Sequence, residues 1–395
     1  QKLNSSIAQQ LKSSTAQKLN SSYACNLDLL EPTIVGMHSV DTILEKVYRD
    51  ERIGPEEGLV LLSSKKLHKI GQAADYVRRK RHPDNIVSFL IDRNISYTNV
   101  CVARCTFCNF YRKPGDKEGY ILPLESIFRK IEETIALGGT GILMQGGMHP
   151  KLKIEYYEDL LSSIRERYRI HLHCFSPPEV VVLARLSGIS IREAIGRLKE
   201  AGLDSIPGGG AEILVERMRR QISPGKCTAK EWLEVMRIAH EEGLLTSATM
   251  MIGGGETLKE RVEHLDRLRR LQDETGGFVA FIPWNVQLEG TPMQASIHKA
   301  VAPVEYLMLL ALSRIYLDNF KNVQVSWLTQ GLKVAQIALH YGANDVGSIM
   351  IEENVISTAG GHYRATRDDL VRLIEEAGFI PAQRDTLYRT FRKIA

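Results

Sequence analysis

Three cysteines lie within eight residues of this chain, at Cys101, Cys105 and Cys108. Three and then two residues separate them, which is close enough for their thiolates to bind one soft metal centre. Three cysteines are one fewer than the four that usually hold an iron-sulfur cube, so the fourth iron would be open to another ligand. The spacing therefore predicts metal binding and favours a catalytic 4Fe-4S cluster.

The main alternative is a zinc-binding, non-redox barrel protein. A structural zinc site needs a fourth cysteine or a histidine at finger-like spacing. After Cys108 no second CxxC follows, and the next histidine is the distant His149. The sequence also begins without the continuous apolar segment of a secretory signal, which disfavours disulfide pairing of these cysteines.

The overall composition predicts a protein that has neither a membrane nor a nucleic acid as partner. The chain has 395 residues, 44% of them hydrophobic, and its apolar runs are far too short to cross a bilayer. The net charge is only +4, and the basic run at 78–81 is typical of the solvated end of a helix. Six dispersed cysteines suit a reducing compartment, so we expect a cytoplasmic protein.

The pattern of the chain indicates four parts. Residues 1–35 include the hexapeptide QKLNSS twice, and we exclude this low-complexity tail, with its Cys25, from the fold. Apolar residues at three- and four-residue spacing predict two or three helices in an extension at 36–85. Residues 86–350 are expected to form a barrel. Residues 351–395 are expected to form a carboxy-terminal extension packed on it.

Within 86–350, short β-rich runs alternate with longer amphipathic runs, which predicts an α/β fold with a parallel sheet. Eight such strands predict a (β/α)8 TIM-type barrel, whose functional residues gather where the strands end. The predicted strands are Ile95–Val100, Gly141–Gln145, Ile170–Phe175, Ser205–Pro207, Leu245–Met251, Phe278–Ile282, Val323–Trp327 and Asp345–Met350.

The cysteine loop, with the aromatic Phe107 before its last cysteine, resembles that of radical S-adenosylmethionine (SAM) enzymes. In that superfamily the open iron binds the amino and carboxylate groups of SAM. The resemblance implies that SAM is a cofactor and is cleaved reductively to a 5′-deoxyadenosyl radical. It also implies that Phe107 lies beside the adenine and that Gly146 and Gly147, at the end of the second strand, contact the methionine amino group. An ordinary turn is the alternative for these glycines.

Further strand ends carry residues that could bind SAM or substrate. Ser176 follows the third strand, in which His171 and His173 alternate and are expected to form a polar face rather than a metal site. Glu212 follows three glycines after the fourth strand and could hold the ribose hydroxyls of SAM, unless this segment is a solvated turn.

Two tryptophans are expected at the mouth of the barrel. Trp284 and Trp327 lie where strands six and seven end, and could form apolar walls around a flat aromatic substrate. Thr329 and Gln330 follow in the same stretch and are expected to contact that substrate. Packing of either tryptophan in the core is the alternative.

Several stretches narrow the resemblance to the cyclic dehypoxanthine futalosine synthases of the futalosine route to menaquinone. These stretches are 108–112, 202–212, 273–278, 326–331 and 350–355. The resemblance implies abstraction of the ribose C4′ hydrogen of dehypoxanthine futalosine, followed by addition of the carbon radical to the benzoate ring. It further implies a reductant such as flavodoxin or ferredoxin. Aminofutalosine synthase and deazaflavin (FO) synthase subunits are the near alternatives.

This chemistry requires a cation for the benzoate carboxylate and a base for the proton that the ring loses after cyclisation. We predict that Arg112 supplies the cation. Tyr111, Asp345 and Glu352 are the predicted proton acceptors, and the sequence does not rank them.

Overall fold

The computed structural model describes residues 39 to 394, so the predicted tail at 1–35 and Cys25 lie outside the described residues. The helices are α1 Val40–Tyr48, α2 Pro55–Ser63, α3 Leu67–Arg81, α4 Leu124–Ala136, α5 Ile154–Arg167, α6 Pro177–Ser187, α7 Ile191–Ala201, α8 Glu216–Ile222, α9 Ala229–Glu241, α10 Leu258–Thr275, α11 Pro303–Tyr316, α12 Trp327–Gln330, α13 Leu332–Ala338 and α14 Arg367–Glu376. The strands are β1 Ile86–Leu90, β2 Asp92–Ser96, β3 Gly141–Gln145, β4 His171–Cys174, β5 Ser205–Ile206, β6 Leu245–Ile252, β7 Phe278–Asn285, β8 Asn322–Val323, β9 Asp345–Ser348, β10 Ile380–Arg384 and β11 Phe391–Lys393.

Eight parallel strands, β2 to β9, form the predicted (β/α)8 barrel. Strands β2 to β8 follow one another in chain order in one parallel sheet. The β8–β9 seam is held by the Asn344 N–H, which donates to Val323 O at 3.1 Å, and by an isolated bridge between Gln324 and Asp345. At the other seam β9 pairs with β1, which runs directly into β2. The predicted architecture is therefore confirmed.

Helix starts agree with their capping signals. The hydroxyls of Thr228 and Thr257 each accept from the N–H of the residue three positions on. The side chain of that residue, a glutamate in both cases, accepts from the threonine N–H, so α9 and α10 begin with complete capping boxes. The prediction of two or three helices before the barrel is also confirmed, by α1, α2 and α3. No helix among residues 39–394 is long and apolar enough to cross a membrane.

Two strand predictions were wrong in their bounds. The first barrel strand is Asp92–Ser96 rather than 95–100, because the chain beyond Ser96 leaves the ladder and makes only isolated bridges at Thr98 and Val100. The predicted seventh barrel strand, which is β8, ends at Val323. Trp327 begins a short helix instead of ending that strand. Strand β1 and the carboxy-terminal strands β10 and β11 were not predicted at all.

The carboxy-terminal segment closes the amino end of the barrel. Strand β10 pairs in parallel with β1. The Arg384 guanidinium donates to Asp345 with Nε at 2.6 Å and Nη2 at 3.0 Å, and both side chains are buried. Thr386 packs on Gly141 at the start of β3, where an added Cβ would lie 2.4 Å from the threonine Oγ1. The barrel interior is therefore open only toward the carboxyl ends of its strands.

The division of the chain into four parts stays a prediction.

Candidate active site

The three cysteines lie on the loop that follows β2, at the carboxyl end of the barrel. The Cys101 N–H donates to Arg112 O at 2.9 Å, which anchors the start of the loop. Arg104 has a left-handed φ of 53° and turns the chain between the first two cysteines. Cys105 is buried, and Cys101 and Cys108 are half-buried. The fold thus holds the three thiols near one another.

The three thiols could each bind a different iron of a cluster. Burial raises the pKa of the Cys105 thiol to about 12 and raises the pKa of Cys101, so metal binding would displace protons here. Within the described part of the chain, no three Cys, His, Asp or Glu side chains converge on one ion position. A zinc ion needs all its ligands about 2.0–2.3 Å from one point, whereas each cysteine of an iron-sulfur cube binds a different iron.

Two glycines at the end of β3 bring the backbone against the cysteine loop. A Cβ on Gly147 would lie 2.3 Å from Val100 O and 2.9 Å from Cys101 Cβ. A Cβ on Gly146 would lie 2.6 Å from ring atoms of Tyr97. Both positions exclude any side chain, and both line the cavity in which the thiols lie. An ordinary turn would not require such close contact.

The buried carboxylate of Glu179 connects this glycine turn to helix α6. Ser176 precedes α6, and its hydroxyl and N–H donate to Glu179 Oε2 at 2.5 and 2.8 Å. Glu179 Oε1 accepts from the Gly146 N–H and from the Tyr97 hydroxyl, each at 2.9 Å. Ser176 also lines the cavity that contains the thiols. Because its proton is already donated, its oxygen is available to a ligand only as an acceptor.

Glu212 is a buried carboxylate in this region with one oxygen that a ligand could bind. It is buried with a φ of 41°, and its Oε1 accepts from Lys226 Nζ at 2.7 Å. Its Oε2 is buried and has no hydrogen-bond partner. Lys226 Nζ also lies 5.4 Å from the centre of the Phe107 ring. Burial alone would lower the pKa of Lys226, but the Cys105 thiolate, when it forms, and the Glu212 carboxylate outweigh it and raise the pKa.

Two adjoining cavities open from this region. The outer cavity, of about 280 Å³, is lined by the three cysteines and the glycine turn. The inner cavity, of about 310 Å³, extends down the barrel interior to Arg384 and is lined mainly by apolar side chains. The two share a wall that includes Gln145, Gly209, Glu212 and Trp284. Ligands in the two cavities would therefore contact some of the same residues.

The predicted substrate-binding residues divide into two groups. Trp284 lines both cavities and is half-buried. Trp327 lines the inner cavity but is only 2% exposed, and its Nε1 donates to Ser348 O at 3.0 Å. Thr329 and Gln330 are buried in α12 and lie outside both cavity linings. Their predicted contact with substrate is therefore not supported by their placement.

The predicted acid, base and cation residues also differ in placement. Tyr111 lines the outer cavity. Arg112 does not, because its Nε donates to Glu118 Oε2 at 2.6 Å and its Nη1 donates to carbonyls of its own loop. Glu352 is held by Lys130 and lies outside both linings. Of these three predictions, only that for Tyr111 places a side chain at a cavity wall.

Asp345 lies at the opposite end of the barrel from the cysteines. It is the first residue of β9, so it belongs to the amino end of the strand, not to the mouth. Its carboxylate is fully buried and binds Arg384, Ser88 and the Gly347 N–H. The predicted strand also began at Asp345, so its choice as proton acceptor did not take into account that a strand starts at the end opposite the mouth. Its predicted role as proton acceptor lacks support from this geometry.

Three residues at the cavities were missed as functional candidates. Lys226 has no local signal, because it lies in a loop 14 residues beyond Glu212 and only the fold brings them together. Gln145 lines both cavities as the last residue of β3. His173 lines the inner cavity, and the strand alternation that places it there was visible in the sequence.

Comparison with known proteins agrees with this site. Residues 95–268 match the Radical SAM superfamily profile, and residues 275–395 match that of the CofH/MqnC C-terminal region. The chain is 48% identical to the cyclic dehypoxanthine futalosine synthase of Halalkalibacterium halodurans, over 90% of this chain and 95% of that one. It is 47% identical to the enzyme of the same name from Streptomyces coelicolor, over 88% of this chain and 87% of that one. Identity to the aminodeoxyfutalosine synthase of Thermus thermophilus is 39%, over 89% and 95% of the two chains.

Solved structures show the same fold. The FeFe-hydrogenase maturase HydG from Carboxydothermus hydrogenoformans matches with a TM-score of 0.71 at 16% identity, over 89% of this chain and 81% of that one. The resemblance inferred from the sequence is confirmed, and the non-redox zinc protein is no longer supported. The chain belongs to the radical SAM superfamily of enzymes, in the family that carries the CofH/MqnC carboxy-terminal region.

Proposed function

We propose that this enzyme cyclises dehypoxanthine futalosine to cyclic dehypoxanthine futalosine in menaquinone biosynthesis. The proposal is supported by relatives of that name at 47% and 48% identity, which cover most of both chains. The observation that carries it is the shared wall of the two cavities. A radical generated beside the thiols must reach a second molecule directly, and the adjoining cavities would hold the two molecules next to each other.

The outer cavity suits the cofactors. Cys101, Cys105 and Cys108 would hold a 4Fe-4S cluster. Together, the bound cluster and SAM would supply a 5′-deoxyadenosyl radical. Phe107 would contact the adenine, and the unpaired Oε2 of Glu212 would accept from the ribose hydroxyls.

The remaining outer-cavity groups would orient the methionine part of SAM. Gly146 and Gly147 allow close approach of its amino group, and Ser176 offers an acceptor oxygen. The Lys226 ammonium, already beside Glu212, is placed to attract a ligand carboxylate.

The inner cavity suits the substrate. Trp284 forms the apolar wall where the ribose C4′ hydrogen would face the adenosyl group, and Trp327 forms part of the deeper wall. Tyr111 is the predicted acid–base residue nearest the cofactors. Arg112 stays the predicted partner of the benzoate carboxylate. It would have to leave Glu118, whose side chain is 72% exposed, so this exchange costs little.

The electron donor and the compartment are part of the same proposal. A flavodoxin or ferredoxin would reduce the enzyme in the cytoplasm, where the three thiols stay free of disulfides.

Anaerobic incubation of the reconstituted protein with SAM, a reductant and dehypoxanthine futalosine tests this function. We expect 5′-deoxyadenosine that depends on the substrate, together with a product two hydrogens lighter than the substrate. If cluster-loaded protein makes neither compound, the proposal is wrong.

The second candidate is aminofutalosine synthesis, which is favoured by the 39% identical Thermus thermophilus relative named aminodeoxyfutalosine synthase. Formation of 5′-deoxyadenosine without the cyclised product would move the assignment to that reaction or to the deazaflavin-forming enzymes.

A further inference from the structure

Two histidines and a serine form a continuous hydrogen-bonded chain from the inner cavity to the amino end of the barrel. His173 lines the inner cavity on β4. Its Nδ1 lies 2.6 Å from Ser205 Oγ on β5, and the same oxygen lies 2.7 Å from His171 Nε2. The His171 Nδ1 then lies 3.9 Å from Asp204 Oδ2.

We propose that His173, Ser205 and His171 relay the proton released during cyclisation from the inner cavity to the amino end of the barrel, where His171 lies beside Asp204. This inference rests on the proposed function, because only the cyclisation requires the aromatic ring to lose a proton. The C–H bond at the attacked ring carbon breaks, its electron pair stays in the ring, and the proton binds His173 Nε2. The ring also carries the unpaired electron of the addition, and it becomes aromatic when one electron passes to a one-electron acceptor such as an oxidised iron-sulfur cluster.

The direction of the chain follows from Asp204. Its Oδ2 accepts from Arg165 Nη2 at 2.6 Å and from the Leu172 N–H at 2.8 Å, so the carboxylate is anchored. A carboxylate near His171 Nδ1 favours the proton on that nitrogen, which leaves His171 Nε2 as an acceptor. Ser205 has a single proton, so it donates to His171 and must accept from His173 Nδ1.

This order leaves the lone pair of His173 Nε2 directed at the cavity. Ser247 Oγ lies 3.5 Å from this nitrogen, at the limit of a hydrogen bond, and accepts from the Gly208 N–H at 3.0 Å. Burial lowers the pKa of His173 to about 3, so its ring is neutral before it takes up a proton. A neutral ring can accept a proton on Nε2 while it releases another from Nδ1.

The exit of the relay is separate from the mouth. His171 begins β4, and its side chain is 20% exposed beside the 35% exposed Asp204. The charged groups around His171 are Asp204, Asp385, Arg165 and Arg389. A proton can thus leave at the amino end, away from the cofactor end.

The test is a single turnover of anaerobic, cluster-loaded protein with SAM, dithionite and dehypoxanthine futalosine. The readout is cyclic product formed per 5′-deoxyadenosine. We expect a ratio near one in the wild type, and a ratio reduced about tenfold or more in His173→Gln, Ser205→Ala and His171→Asn, with 5′-deoxyadenosine still formed. A merely structural role would lower both compounds together.

His240→Gln is the matched control. His240 is half-buried and also lies between two hydroxyls, with Thr275 Oγ1 at 2.6 Å and Thr246 Oγ1 at 2.8 Å, and it lies outside both cavity linings. The cyclic product formed per 5′-deoxyadenosine in His240→Gln should equal that of the wild type.

Two outcomes overturn the relay. One is an unchanged ratio in all three variants. The other is loss of 5′-deoxyadenosine from folded, cluster-loaded His171→Asn and Ser205→Ala proteins, which would assign these residues to a step before cyclisation. If the wild type makes no cyclic product, the proposed function itself fails, and the experiment separates that result from failure of the relay alone.

Discussion

Lys226 Nζ donates to Glu212 Oε1 at 2.7 Å, while the second oxygen of the same buried carboxylate has no hydrogen bond and lies 3.8 Å from Arg219 Nη1. Glu212 lines both cavities and Lys226 lines the outer one. Buried polar atoms are usually hydrogen-bonded, so this oxygen is a suitable acceptor for a ligand that donates to it.

We expect Glu212→Gln to weaken SAM binding about tenfold and to destabilise the fold by about 3 kcal/mol, because it leaves the Lys226 charge buried without its partner. Isothermal titration with SAM and denaturant unfolding measure the two effects. Glu241→Gln is the control, because Glu241 forms an exposed ion pair with Arg192, and it should change neither quantity. Unchanged SAM affinity in Glu212→Gln would contradict the assigned role.

We expect Gly147→Ala to prevent cluster assembly, because its Cβ would lie 2.3 Å from Val100 O and push the cysteine loop away. Iron and sulfide content after anaerobic reconstitution measures this. Gly196→Ala in α7 is the matched control, because its Cβ would meet nothing within 4 Å. It should keep the full cluster content and stabilise the fold by about 1 kcal/mol. Normal iron content in Gly147→Ala would show that the loop can shift.

Trp284→Ala and Trp327→Ala should separate binding from packing. Trp284 is half-buried between the cavities, so its loss should raise the KM for substrate about tenfold with little effect on stability. Trp327 is 2% exposed, so its loss should lower the free energy of unfolding by about 3 kcal/mol or more. Steady-state kinetics and denaturant unfolding distinguish the two. The reverse pattern would mean that Trp327 is the substrate wall.

Asp345→Asn tests whether this residue is a base or a structural partner. We expect it to lower the free energy of unfolding by about 3 kcal/mol, because it leaves buried Arg384 without its counter-ion. In protein that is still folded, the product formed per 5′-deoxyadenosine should be unchanged. A lower ratio without loss of stability would instead support the predicted catalytic role.

His264 should make the fold sensitive to mild acid. Burial lowers its folded-state pKa to about 3, below the value near 6.5 expected in the unfolded chain. The unfolded chain therefore binds the proton first, and stability is lost as the pH falls below about 6.5. His264→Asn should reduce the slope of unfolding free energy between pH 6.5 and 5 by up to about 1.4 kcal/mol per pH unit. His362 is exposed, so the control His362→Asn should leave the slope unchanged. Equal slopes in the wild type, His264→Asn and His362→Asn would refute the role assigned to His264.

The sequence alone determined the features that depend on local spacing. Cys101, Cys105 and Cys108 lie on one loop, and eight alternating strand and helix patterns indicated the barrel, because each signal is contained within a few turns of chain. The glycines after β3 were also readable, since a close backbone approach requires them wherever the chain is packed.

Only the tertiary structure decided which distant residues meet. Lys226 reaches Glu212 from another loop, and Ser205 lies between His171 and His173 because β5 pairs with β4 in one particular register. Asp345 was correctly predicted to begin its strand, and the start of a barrel strand lies at the end opposite the cysteine loop, where only the fold showed Arg384 as its partner. Pairing between strands is a long-range property, so no local pattern in the chain specifies it.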